Sequence, residues 1–273
     1  MARDLYLCRR IIPIMSDIET ILLAPGRKVY FASDFHLGTP SPEQSRDRER
    51  VVVNWLDAVR ADAEIIFLVG DVFDFWFEYK HTVPKGFIRL QGKLAELTDA
   101  GTRIVLFTGN HDMWMNDYFT QEMGIPVYRR SRRYDIGGKR FYIGHGDGLG
   151  PGDFVYKRLK TVFENGLARQ LFRWLHPDLG IGLAQAWSRR SRISNQKKGE
   201  EEFLGEEREW LWQYCREVEA VTHHDYYVFG HRHVPLNLAV TPTSRYLNLG
   251  EWVFAKTYGV FDGIELGLHV WKG

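Results

Sequence analysis

Short apolar runs alternate with amphipathic stretches in the first half of the chain. The runs are rich in β-branched and aromatic residues, which predicts buried strands at residues 28–32, 64–69 and 103–107. Apolar residues recur at near-helical spacing over residues 44–61, and a second helix is predicted over residues 86–100, where Gly101 ends it. Strand–helix–strand order implies right-handed crossovers between parallel strands, so an α/β fold is predicted.

The second half contains further strand patterns on either side of a long interruption. Apolar runs predict strands at residues 140–143 and 226–229. Three closing antiparallel strands are predicted at residues 245–249, 256–261 and 264–271, the last two joined by a turn at Asp262-Gly263.

The interruption, residues 151–225, has no strand pattern and is predicted to be a helical insertion. Apolar positions over residues 155–174 form a stripe that fits one helix. Residues 200–219 predict a charged helix, and its inward-facing side chains would be Phe203, Leu204, Trp210, Leu211 and Tyr214. The expected organisation is an N-terminal extension at 1–27, a core formed by 28–150 and 226–273, and the insertion.

Composition narrows the class of protein. The net charge is +1, which argues against a broad phosphate-binding surface, so no nucleic-acid partner is expected. Cys8 and Cys215 fit neither a disulfide framework nor a C-x-x-C metal site. No apolar run approaches the length of a membrane span. Residues 1–15 lack the features of a signal peptide, and Met15 is the more natural start.

Five polar fragments each follow a short apolar run and carry oxygen or imidazole ligands. They are Asp34-Phe35-His36, Gly70-Asp71-Val72-Phe73-Asp74, Gly109-Asn110-His111-Asp112, Gly144-His145-Gly146-Asp147 and Gly230-His231-Arg232-His233. Any one of them alone would fit an ordinary turn or surface loop. Because open α/β sheets place their sites at the carboxyl ends of strands, all five in this order predict a single site.

The donor types predict a pair of divalent metal ions. One ion is expected on Asp34, His36 and His233. The other is expected on Asn110, His145 and His231, with Asp71 as the bridging carboxylate. Two ions about 3.5–4 Å apart can activate a water and clamp both oxygens of an in-line phosphoryl displacement.

Two further residues are expected to act on the substrate. His111 follows a ligand but faces differently, so it is predicted to donate to the phosphoryl oxygen or the leaving group. Asp74 is predicted to orient that imidazole. Asp112 and Asp147 are expected either to orient ligands in the same way or to cap loops.

The five fragments resemble those of the calcineurin-like metallophosphoesterase superfamily. The resemblance covers nearly all of residues 28–273 and implies a four-layer αββα sandwich with a helical lid insertion. More narrowly, Phe75-Trp76 after the bridging Asp and Leu249-Gly250-Glu251-Trp252 resemble the UDP-2,3-diacylglucosamine pyrophosphatase family of lipid A synthesis. Members of that family release UMP and 2,3-diacylglucosamine 1-phosphate.

The narrower resemblance implies a substrate, a metal and a location. The substrate would be an acylated sugar nucleotide, bound in the lid by Tyr156, Arg192, Asn195 and Lys198. The metal would be Mn²⁺, with Zn²⁺ or Fe as alternatives. The protein would lie in the cytoplasm, peripheral on the cytoplasmic face of the inner membrane and in contact with its lipids.

The insertion itself suggests how such a substrate could bind. Phe163, Phe172 and Trp174 are expected to line an open apolar cleft for acyl chains, beside the basic run at residues 189–198. Ordinary helix packing and a solvated basic face would explain the same pattern.

Two departures from the family keep other substrates open. The enterobacterial type has Arg where this chain has His111, and Glu where it has Asp74. The alternatives are a soluble phosphodiesterase or nuclease with the same centre and, because some relatives lack metal ligands, a non-catalytic scaffold.

Overall fold

The computed structural model describes residues 18–151, 154–182 and 202–273. In this part of the chain the strands are β1 (Glu19–Ile21), β2 (Lys28–Ala32), β3 (Ala63–Val69), β4 (Arg103–Phe107), β5 (Val127–Tyr128), β6 (Arg132–Ile136), β7 (Lys139–Ile143), β8 (Tyr226–Phe229), β9 (Pro235–Thr241), β10 (Ser244–Leu249), β11 (Thr257–Phe261) and β12 (Leu266–Val270). The helices are α1 (Pro42–Val59), α2 (Ile88–Asp99), α3 (Tyr118–Met123), α4 (Phe154–Glu164), α5 (Gly166–Arg173) and α6 (Trp210–Glu219), with a 3₁₀ turn at Glu206–Arg208. Residues 177–182 are also helical.

The described strands form two six-stranded sheets. One has the order β12-β11-β2-β3-β4-β5, in which β2 to β5 are parallel. The other has the order β1-β6-β7-β8-β10-β9, with β7, β8 and β10 parallel. The parallel centre of each sheet brings the carboxyl ends of its strands to one edge, where the polar fragments begin.

Side chains that alternate between the two faces of each sheet divide the core into layers. Phe31, Phe67 and Phe141 belong to the core between the two sheets. The opposite face of the first sheet packs against α1, α2 and α3 through residues such as Trp55 and Leu94. The opposite face of the second sheet packs against α6. The arrangement is therefore αββα, which confirms the predicted four-layer sandwich.

Most predicted elements are present, and the omissions share a cause. The strands at 28–32, 103–107 and 226–229 have the predicted limits, and the predicted helices correspond to α1 and α2. The prediction missed β1, β5, β6, β9 and α3. These elements are short or lie partly exposed, so they lack the continuous apolar run that marks a buried strand.

Two predictions in the insertion are wrong. The apolar stripe at 155–174 is not one helix, because Asn165 breaks it and its side-chain oxygen caps α5 by accepting from Leu167 N and Ala168 N. The helix predicted at 200–219 begins only at Trp210. Phe203 and Leu204 therefore lie outside it and are exposed rather than turned inward.

No helix among the described residues has the length and apolar character needed to cross a bilayer.

Trp55 provides a test of the outer core. Its ring is fully buried and packs edge-on against Trp252 and Tyr258, at centroid distances of 5.1 and 5.6 Å. We expect Trp55→Ala to lower the free energy of unfolding by about 3–5 kcal/mol. Trp174 is 85% exposed, so Trp174→Ala should change it by less than about 0.5 kcal/mol. Urea denaturation followed by circular dichroism measures both, and equal losses would contradict this description of the core.

Candidate metal centre

The five polar fragments converge at one edge of the sandwich. They follow β2, β3, β4, β7 and β8, which are neighbours in the two sheets. Backbone hydrogen bonds tie the first two loops together, since Asp34 N donates to Gly70 O and His36 N donates to Asp71 O. Residues far apart in the chain are thus adjacent in space.

Asp34, His36 and His233 form the first donor cluster. Nε2 of His233 lies 3.3 Å from Asp34 Oδ1, and Nε2 of His36 lies 3.7 Å from the same oxygen. The two imidazole Nε2 atoms are 3.0 Å apart. Their ligand atoms lie within 4.8 Å of one another, as a shared cation requires.

Asn110, His145 and His231 form the second cluster. The Asn110 side-chain oxygen lies 3.2 Å from His145 Nε2 and 2.9 Å from His231 Nδ1. His145 Nδ1 donates to the carbonyl of Val69 at 2.9 Å, which leaves Nε2 as the nitrogen that could bind a metal ion.

Asp71 lies between the two clusters. Its Oδ2 is 3.3 Å from His145 Nε2 and 3.9 Å from His36 Nε2. The Oδ1 of Asp34, also buried, accepts no hydrogen bond from the part of the chain that the structure describes. Oxygen and imidazole donors crowded in this way fit two divalent ions, one in each cluster, with Asp71 as a ligand of both.

When no cation is bound, burial and the neighbouring charges shift pKa values in this centre in opposite directions. Burial alone would lower the pKa of His145, but the adjacent Asp71 carboxylate raises it to about 10. Burial would raise the pKa of Asp71, yet His145 and His111 hold it well below its usual range. Burial lowers the pKa of His231 to about 4. A divalent ion would take the place of the proton held between Asp71 and His145.

Most of the candidate ligands have a left-handed backbone, which is uncommon outside glycine. Positive φ angles of 44–70° occur at Asp34, His36, Asp71, His231 and His233. Such conformations cost free energy and persist where the surroundings hold them.

One of the residues that hold the loops is Asp112. Its buried carboxylate accepts hydrogen bonds from Gly109 N at 2.7 Å and from Val72 N at 2.8 Å. It thereby joins the loop that carries Asn110 to the loop that carries Asp71. Burial, together with the nearby charge of Asp71, raises the pKa of Asp112 to about 7.

Arg48 holds the loop of the first cluster, and the sequence analysis missed it. Its buried guanidinium, on α1, donates to the carbonyls of His36 and Thr39. The signal was present in the sequence, because Arg48 and Glu49 lie one turn before Val52 on the buried face of a helix. Charged residues are rarely buried on such a face without partners.

The predicted substrate-directed pair lies beside the first cluster. His111 Nδ1 is 3.1 Å from the Asp74 carbonyl oxygen and 3.5 Å from its carboxylate Oδ1. The rings of His111 and His36 meet edge to face, with centroids 4.9 Å apart. The structure therefore places His111 beside Asp74, whose backbone is its nearer contact, and the roles given to the two residues stay a prediction.

The structure does not describe the side chains of the lid residues that the sequence analysis assigned to the substrate. Arg192, Asn195 and Lys198 lie outside the described residues. Tyr156 belongs to the backbone of α4, and its side chain is likewise outside the description. Their assignment to the substrate stays a prediction.

Comparison with known proteins gives consistent matches. The model of the calcineurin-like phosphoesterase family matches residues 27–235. A UDP-2,3-diacylglucosamine hydrolase of Porphyromonas gingivalis is 38% identical over 259 residues, covering 89% of this chain and 97% of the relative. A protein of the same name from Ectopseudomonas mendocina is 28% identical, covering 82% and 90%. The solved structure of Yfce, a phosphoesterase from E. coli, is 16% identical, with a TM-score of 0.41 over 90% of this chain and 100% of that one.

Gly109 tests the geometry of the centre. A Cβ at this position would lie 2.2 Å from Asp71 Oδ1 and 2.7 Å from Asp71 N, so Gly109→Ala must displace the shared carboxylate. We expect this variant to fold but to lose at least one bound divalent ion, measured by mass spectrometry of the metal content. Gly92→Ala on α2 is the control, because its Cβ would meet nothing within 4 Å. Full metal content in Gly109→Ala would contradict the role given to Asp71.

Proposed function

We propose that this chain, which belongs to the calcineurin-like phosphoesterase family, hydrolyses the diphosphate bond of UDP-2,3-diacylglucosamine to give 2,3-diacylglucosamine 1-phosphate and UMP. The observation that carries the proposal is the 38% identity to a hydrolase of that name along 97% of its length. The donor set for two metal ions supplies the chemistry that such a reaction needs.

The metal ligands are assigned from the two clusters. Asp34, His36 and His233 hold one ion, whereas Asn110, His145 and His231 hold the other. Asp71 binds both. We assign Mn²⁺ first, with Zn²⁺ or Fe as alternatives, because oxygen and imidazole donors suit all three. When bound, the ions supply an activated water and neutralise charge on the phosphoryl oxygens.

His111 acts on the substrate in this proposal. Asp74 holds its Nδ1 through the backbone carbonyl at 3.1 Å, which fixes the orientation of the ring. The other ring nitrogen, Nε2, is assigned to a phosphoryl or leaving-group oxygen. The backbone N–H of His111 also donates a hydrogen bond to Asp71 Oδ1 at 2.8 Å, which holds His111 next to the proposed shared ligand.

The acyl half of the substrate is assigned to the helices of the insertion. Phe163 and Phe172 are partly buried, and both contact the ring of Trp114. Leu167 and Leu171 of α5 and Trp174, the residue that ends the helix, are exposed and form an apolar surface. Burying each methylene of an acyl chain on such a face contributes about 0.8 kcal/mol. The same face supports peripheral contact with lipids at the cytoplasmic side of the inner membrane.

Substrate comparison tests the function. Purified protein with Mn²⁺ should turn over UDP-2,3-diacylglucosamine at least 100-fold more efficiently, as kcat/KM, than bis-p-nitrophenyl phosphate or short DNA. Detection of UMP identifies the bond that is broken. Preference for either of the other substrates would instead indicate the phosphodiesterase or nuclease alternative. Inactivity toward all three with two metals bound would contradict a hydrolase.

A pair of variants separates metal binding from chemistry. His111→Ala should lower turnover by about 2–4 orders of magnitude while two metals stay bound, because the imidazole contacts substrate and not the ions. Asp71→Ala should abolish turnover and also lose metal, because it removes the shared ligand. Metal content and turnover are measured on the same samples, with circular dichroism as the check on folding. Metal loss in His111→Ala would make His111 a ligand.

A further inference from the structure

A cavity of about 320 Å³ lies beside the metal centre, and His145 is the one candidate metal ligand among its described lining residues. It lies among the end of β4, the connection between β5 and β6, the loop after β7, and helices α4 and α6. His145 lines it, as do Tyr142 and Tyr214, whose hydroxyls are 3.0 Å apart. Its volume is within the range of small-molecule sites.

The cavity is positively charged. Arg129, Arg130 and Lys160 line it, and Asp147 is the one acid among its described lining residues. The Asp147 carboxylate is already bound by Lys160, at 2.6 Å. A smaller neighbouring cavity shares Arg129 and Lys160 and adds Arg169. Such a concentration of cations is a local feature, since the whole chain carries a net charge of only +1.

The cavity borders the candidate metal centre through one shared residue, His145. His145 contributes to its wall, and the Nε2 of that ring is 3.3 Å from Asp71 Oδ2. The smaller cavity reaches Gly109, the residue before Asn110. An anion bound at the metal centre would therefore share the wall formed by His145 with this cationic space.

We propose that this cavity is the subsite for the nucleoside monophosphate half of the substrate, an inference that rests on the proposed function. Guanidinium groups pair with phosphate oxygens through charge-assisted hydrogen bonds. The hydroxyls of Tyr142 and Tyr214, which bond each other at the inner wall of the cavity, are the hydrogen-bonding groups assigned to the base or ribose. The acyl chains are assigned elsewhere, since packing them against Arg129, Arg130 and Lys160 would remove water from charged groups without replacing its hydrogen bonds.

Arg130 provides the test, with UMP as the probe. Competitive inhibition by UMP and by inorganic phosphate is measured on the Mn²⁺-loaded protein during turnover of bis-p-nitrophenyl phosphate. Losing one charged hydrogen bond should raise the inhibition constant of UMP about 10- to 100-fold in Arg130→Ala. Inorganic phosphate needs only the metal centre, so its inhibition constant should change less than twofold. Arg130→Lys should recover part of the UMP binding.

Arg140→Ala is the matched control. It removes the same charge from the opposite end of β7, whose 139–143 span separates Arg140 from the loop of His145. Both inhibition constants should stay within twofold of the wild type. If Arg130→Ala and Arg140→Ala weakened UMP binding equally, the effect would come from the net charge of the protein, and the subsite would be overturned.

The outcomes distinguish the subsite from the proposed function. Absence of UMP inhibition in the wild type, an unchanged UMP constant in Arg130→Ala, or equal changes for UMP and inorganic phosphate would each overturn the subsite, even if UDP-2,3-diacylglucosamine is turned over. Conversely, selective loss of UMP binding in Arg130→Ala would support the subsite even if the wild type fails to cleave UDP-2,3-diacylglucosamine.

Discussion

The site depends on one constraint: carboxylate oxygens and imidazole nitrogens that repel one another are held close together at one edge of the sandwich. Two imidazole nitrogens lie 3.0 Å apart beside a buried carboxylate, and neither burial nor hydrogen bonding to water can stabilise that arrangement alone. Divalent ions would satisfy these donors together. The parallel strands bring these donors to one edge of the two sheets. Asp112 and Arg48 then hold the donor loops in place through hydrogen bonds to backbone groups.

The elements that could be predicted from the sequence are those in which one physical requirement dominates. The strands at 28–32 and 226–229 are buried on both sides except at Lys28, so their other residues are apolar or aromatic, and polar candidate ligands follow their ends. By contrast, β6 carries arginines and β9 is an edge strand with several exposed residues. Their hydrogen bonds are set by partner strands, which a local pattern does not reveal.

The candidate site also contains residues that could be predicted from the sequence and residues that only the fold reveals. Its donor residues could be predicted because ligand chemistry restricts the residue types and the strands order the fragments. Asp112 was foreseen as an orienting or capping residue, but its partners on two loops became evident only in three dimensions. The cationic cavity combines residues from the β5–β6 connection and from α4, which are about 30 positions apart in the chain. No local spacing joins such residues, so only the fold brings them together.

The left-handed backbone at five candidate ligands has a consequence for how a protein of this kind can change over generations. Each such conformation costs a non-glycine residue about 1 kcal/mol or more, and the cost falls on positions that we assign to the metal ions. Replacement by glycine would relieve that strain while removing a ligand. Loss of the reaction can thus be accompanied by a gain in the stability of the scaffold. The chemistry is therefore preserved only by continued selection for it, whereas the two-sheet framework is preserved by folding itself.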